Sequence, residues 1–146
     1  MGYTTDFDGG FTIDRPVDED TYALLHGLAT TRRMRRSIRG YGVDGEYYVD
    51  APGYGGQAHT PDIIDYNKPP RTQPGLWCGW LIQPDRQTIK WDGGEKFYRY
   101  VEWLEYIIGI LKNRKYKVNG TVEWFGEELD DRGIIRVSDN TITIDE

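Results

Sequence analysis

The residue types that carry out chemistry are thinly spread in this chain of 146 residues. It has two histidines, His26 and His59, and a single cysteine, Cys78. A nucleophile–histidine–acid arrangement, or a histidine-based metal site, would have to recruit one of those two imidazoles. His26 falls in a helical pattern beside Leu25 and reads as a partly buried packing residue. His59 sits in a loop with Asp62 and Asp65 and is the better binding candidate, against the alternative of a solvated imidazole. One cysteine excludes an internal disulfide, a Cys-based metal cage and CxxC redox chemistry. No metal or cofactor is implied. Glu127 with Glu128 and Asp130 with Asp131 supply paired carboxylates, but acid–base work needs two of them held across a cleft with separated pKa values. Neighbours in a turn read as solvated charges, so no catalytic residue is assigned.

Binding chemistry is better represented. Arg32, Arg33, Arg35, Arg36 and Arg39 place five guanidinium groups within eight residues. Such groups grip phosphates and carboxylates through paired hydrogen bonds, which admits RNA, DNA, a nucleotide or an acidic protein; the structural alternative is a solvated helix end. Removing those five arginines takes the net charge from −6 to −11, so the charge is segregated along the chain. An acidic total argues against general nucleic-acid affinity, and any basic site must be local. Trp77 and Trp80 could line a pocket with Tyr54 and Tyr66 and stack a base or sugar, or they could form an apolar cap over a sheet edge. Trp91, Trp103 and Trp124 read as core. The Asp92-Gly93-Gly94 run before a helix could hold a phosphate on free N–H groups. Asp92 and Glu95 would already occupy that helix end as a capping box, and no complete GxGxxG or Walker pattern is present.

These side chains need elements to position them. From Asp92 to Arg114 apolar residues recur at Phe97, Tyr100, Val101, Leu104, Ile107, Ile108 and Leu111, which predicts the main helix, capped by Asp92 and ending near Asn113. Near the N-terminus Phe7, Gly9, Phe11 and Ile13 alternate with Asp6, Asp8, Thr12 and Asp14, the period of a strand with one buried face. Asp18 is placed to cap a first helix that runs to about Arg33, with Tyr22, Leu25, Leu28 and Ala29 inward. Residues 40–75 are rich in Gly, Pro and Tyr, with only Glu46 to Asp50 suggesting a short strand, and read as a long insertion. Leu76 to Ile82 and Gln87 to Trp91 read as a hairpin. Lys117 to Phe125 reads as a further strand, and IIRVSDNTITI as a last hairpin turning at Asp139 and Asn140.

The resulting order is β, α, long loop, β, β, α, β and a small hairpin. It predicts one α+β domain over residues 1–146: an antiparallel sheet with two helices on one face, in the split βαβ order of a ferredoxin-like sandwich. A different antiparallel sheet crossed by the same main helix is the alternative. Aromatic residues make up 14% of the chain and supply large buried areas. No run is long enough to span a membrane, and the opening MGYTTDFDGG lacks the pattern of a signal peptide, so a cytoplasmic protein is expected.

The segments PGLWCGW, IKWDGGEKFYRYVEWLEYII and NGTVEWFGEELDDRGIIRVSDN resemble a family of small uncharacterised proteins encoded by bacteriophages and bacteria. The resemblance covers the chain from about Tyr66 onward and FDGGFTIDRP less strongly. It implies a small phage-type accessory protein, in the host cytoplasm if phage-encoded, that binds a host or defence macromolecule; it carries no catalytic residue. The reading from the residues is accordingly a non-enzymatic binding protein that displays the 40–75 insertion and the Arg run. The rival is a nucleotide-binding or ligand-sequestering protein, or a small enzyme, with a pocket between the loop and the 76–91 hairpin.

Overall fold

The computed structural model describes residues 2–30, 33, 35–36, 63–65 and 67–146. Its strands are β1 (Asp6–Ile13), β2 (Arg35–Arg36), β3 (Ile63–Asp65), β4 (Trp80–Ile82), β5 (Thr88–Trp91), β6 (Val118–Phe125), β7 (Arg132–Ser138) and β8 (Thr141–Asp145). Two helices are described, α1 (Glu19–Thr30) and α2 (Tyr100–Asn113). Six strands form one antiparallel sheet in the order β4-β5-β1-β6-β7-β8, and β2 pairs with β3 separately. The fold is α+β.

Period-two alternation explains the sheet. In β1, Phe11 and Ile13 are fully buried while Asp6, Asp8 and Thr12 are exposed. Register then puts Ile13 beside Val118, Phe7 beside Trp124, Val122 beside Ile135 and Phe11 beside Ile89. Those residues share one cluster with Leu24, Leu25 and Leu28 of α1 and with Trp103, Leu104, Ile107, Ile108 and Leu111 of α2. The other face is polar, lined by Asp6, Asp8, Thr121, Glu123 and Arg136. Gly9 breaks the alternation, because the backbone there adopts φ 110 and a Cβ would collide with the carbonyl oxygen of Thr121 in β6.

Capping works as expected at α1, where the Thr21 N–H donates to Asp18 Oδ1 at 2.8 Å; the described helix is Glu19–Thr30, and Arg33 is not helical. At α2 the sequence expectation fails. The helix begins at Tyr100, and Asp92 instead accepts a hydrogen bond from Gly94 N at 2.8 Å within its own turn. Gly93, Lys96 and Arg99 have φ of 83, 59 and 57, left-handed values that no helix accommodates, so residues 92–99 are a loop that delivers Phe97 to the core. The C-terminus is a Schellman closure: Lys115 at φ 71 donates to Lys112 O, and Tyr116 donates to Leu111 O at 2.9 Å.

The other departures follow from tertiary pairing. The first hairpin strand is Trp80–Ile82, so residues 76–79 precede it as irregular chain. Arg35 and Arg36 leave the helix and pair with Asp65 and Ile63, which makes a strand inside the stretch read as an insertion. Gln73 is buried and its amide donates to the Tyr106 hydroxyl of α2, so the end of that stretch belongs to the packed structure. Glu46 to Asp50 lie outside the described residues.

Candidate functional site

The β4 end of the sheet carries a cleft of about 620 Å³ between residues 74–79 and 92–99. Both walls are irregular backbone, and each has a reason to be so. Gly79 admits the Phe97 ring against its backbone, since a Cβ there would lie 2.5 Å from Phe97 Cδ2. Asp92 N donates to Gly79 O at 2.9 Å and ties one wall to the other. Phe97 is in turn held by Trp80, Phe7 and Tyr100, with ring centroids 5.3, 5.7 and 6.3 Å away. The floor is therefore a rigid aromatic cluster.

The rim is different in character. Trp77 on one wall is 47% exposed and Tyr98 on the other is 54% exposed, which is unusual for side chains of that size. Lys96 and Arg99 flank Tyr98 and Asp92 and Glu95 lie on the same wall, so the rim carries both signs of charge. The Tyr98 hydroxyl accepts a hydrogen bond from Tyr3 N at 3.1 Å. Behind the cleft, Trp103 Nε1 is buried with no hydrogen-bond partner among the described residues, 3.5 Å from where a Cβ on Gly75 would stand.

Cys78 lines the cleft, but burial pushes its thiol up to about 12, so it is protonated at neutral pH and is no nucleophile. Burial likewise raises the Tyr100 phenol to about 12. Among the described residues no group of three or more His, Cys, Asp and Glu is placed to hold a metal ion. Nor does any described helix have the length and apolarity to cross a membrane.

A scan of protein-family models, a search of curated proteins and a search of solved structures each give no match.

The described residues among those singled out from the sequence do not gather at one place. Trp77 lies at the cleft. Trp80 does not line it: the side chain is 1% exposed and its indole N–H donates to Tyr100 O at 2.8 Å, so it is a core strut. Arg33 is 4% exposed, with Nε donating to Gln73 Oε1 at 3.2 Å, and it cannot grip an external partner from there. Arg35 and Arg36 lie on β2. Arg32, Tyr54, His59 and Tyr66 lie outside the described residues. His26 is exposed and stacks on Tyr22, with centroids 5.5 Å apart, where a partly buried packing residue was expected. The carboxylate turn is structural: Asp131 accepts from the Tyr3 hydroxyl at 2.7 Å and from Trp124 Nε1 at 2.9 Å, and these bonds hold its pKa below the usual range.

Lys96, Tyr98 and Arg99 escaped the sequence reading because the apolar stripe of α2 extends back to Phe97 and made residues 92–99 look helical. The signal against that was Gly93-Gly94, two residues of poor helix propensity directly after an aspartate, a turn sequence.

Proposed function

We propose that the protein acts by binding, without catalysis, and that the cleft between residues 74–79 and 92–99 receives an apolar or aromatic side chain of a protein partner. The exposure of Trp77 and Tyr98 on opposite walls carries this reading, since Trp, Tyr and Arg in and around a pocket are the residue types that dominate protein interfaces. Its volume falls within the roughly 300–1,000 Å³ typical of binding pockets. Together with the resemblance to small phage and bacterial proteins, it frames the chain as an accessory protein directed at a host or defence macromolecule. The unit β1-α1-β4-β5-α2-β6 is read as a ferredoxin-like split βαβ, a reading supported by its strand order β4-β5-β1-β6.

A nucleotide stacked between Trp77 and Tyr98, with its phosphates near Lys96 and Arg99, is the second reading, favoured by that juxtaposition of rings and cations. Asp92 and Glu95 on the same wall leave no net positive field for a polyphosphate, so the protein partner is preferred. The test compares host-lysate captures on the wild-type chain and on Trp77→Ala/Tyr98→Ala, quantified protein by protein. A partner enriched on the wild type and lost on the variant, at unchanged melting temperature, is the expected result. Identical captures would sink the cleft as the binding surface, and thermal stabilisation by a nucleotide would move the assignment to the second reading.

A further inference from the structure

The opposite end of the sheet offers an interface of another kind. β8 is the outermost strand, and no described strand pairs with its outer side. Asp139 and Asn140 have φ of 45 and 70, the two-residue turn that closes a hairpin with a hydrogen-bonded pair, here Ser138 with Thr141. Bonded and non-bonded pairs alternate along an antiparallel ladder. Thr141, Thr143 and Asp145 therefore turn their backbone groups toward β7, and Ile142 and Ile144 turn theirs outward.

The side chains fit that edge. Ile142 and Ile144 stand across from Val137 and Ile135, which are 4% and 0% exposed, so they lie on the core side of the sheet. Ile144 is nevertheless 39% exposed. Proteins usually blunt a bare edge with proline, lysine or a bulge. Residues 141–145, TITID, have no proline or lysine, and their register with β7 is unbroken.

We propose that β8 is the interface of a homodimer in which two copies pair β8 antiparallel about a two-fold axis at Thr143, continuing the sheet from one copy into the next. In that register Ile142 faces Ile144 of the second copy, and the outward N–H and C=O groups of both residues are all paired. Slipping the strands by two residues either way leaves one of those isoleucines without a strand partner. Asp145 meets Thr141 of the second copy, so no like charges stand opposite. Asp145 is besides held by Arg136 at 2.7 Å within its own chain. The four isoleucines then close one apolar patch between the two helical layers, and the self-complementary pairing is what a two-fold contact demands.

Sedimentation of the full chain should give twice its 16.9 kDa mass at high concentration, dissociating on dilution. Ile144→Pro removes an N–H that β7 does not use, so it should leave the fold intact and yield a monomer. If that variant misfolds, Ile144→Lys reads the same interface. Thr143→Cys places two thiols at a non-bonded pair with Cα atoms about 4.5 Å apart, within disulfide range, and should cross-link on mild oxidation. Cys78, buried, does not compete. Thr141→Cys, opposite Asp145 in that register, should not cross-link. A wild type that stays monomeric at every concentration, a dimer that survives Ile144→Lys, or equal cross-linking at 141 and 143 would each overturn the proposal.

Discussion

The two ends of the sheet are built by opposite strategies. At the β8 end, long strands are joined by turns that satisfy backbone groups of the turn or of a neighbouring strand: Gly126 N donates to Asp131 O at 2.7 Å, and Asn140 Oδ1 accepts from Val118 N of β6 at 2.7 Å. At the β4 end the strands are three and four residues long, and the chain around them runs through left-handed residues at Lys96 and Arg99. There the order comes from ring packing of Phe7, Trp80, Phe97 and Tyr100. Local bonding makes a regular edge, whereas an irregular backbone pinned by large side chains makes a concave one. Binding surfaces favour the second kind, because loops held by a rigid scaffold can present side chains at angles that a strand cannot.

The strongest test of this contrast is at the core that both ends share. Leu104→Ala, at a side chain that is 0% exposed, is expected to cost about 2–5 kcal/mol in urea unfolding. Tryptophan fluorescence, which reports mostly on the β4 end, and far-ultraviolet circular dichroism should lose their signals in one transition. Separate transitions would show that the ends are independent units. Gly79→Ala comes next: its methyl group would collide with the Phe97 ring, and a loss of about 1–3 kcal/mol is expected as the cleft floor is displaced. A neutral result would mean that Phe97 moves freely and the floor is not fixed.

At the other end, Asn140→Ala deletes the acceptor for Val118 N and the donor to Tyr116 O, 2.9 Å away, and puts alanine at φ 70. About 1–2 kcal/mol is expected, with faster amide exchange at Val118 and no change at the cleft. Disturbance of Trp77 or Tyr98 by this variant would erase the distinction between the ends. The smallest effect is acid lability. Asp131 and Asp85 have folded pKa values lowered from 3.8, Asp131 by Tyr3 and Trp124 and Asp85 by Thr88 and Gln87. A depressed carboxyl contributes stability in full above its unfolded pKa and loses it as pH falls through the folded value. Melting temperature should thus be level in the neutral range and decline below about pH 4. Asp131→Asn, whose cost is on the order of a few tenths of a kcal/mol because the group is only half-buried and solvent screens it, should match the wild type once acid has protonated that carboxyl. An undiminished gap at low pH would assign its role to packing.

Much of the scaffold was legible from periodicity and turn chemistry. The alternation in β1 and β6, the Asp18 cap, the stripe of α2 from Tyr100 to Leu111 and the Asp139-Asn140 hairpin are consequences of residues near one another in sequence. The cleft was not legible. Phe97 fits the helical stripe by spacing, and only its contact with Gly79 and Trp80 shows it pulled out of the helix. Trp77 and Trp80 look alike in sequence, but one ring is exposed and the other serves the core.

What the sequence determined by itself was the class of the fold and most of its strands and helices, because a period of two or of three to four commits a segment to one buried face whatever lies opposite. That Arg33 turns inward, which tryptophan meets solvent and where α2 begins were settled only by tertiary structure. In each case the deciding partner lies far along the chain or across the core: Gln73 for Arg33, Tyr100 for Trp80 and the ring cluster for Phe97. Local propensity amounts to tenths of a kcal/mol per residue. Burial of a large ring is worth several times that, and a buried charge left without a hydrogen-bond partner costs several times that, so where the two conflict the distant partner prevails.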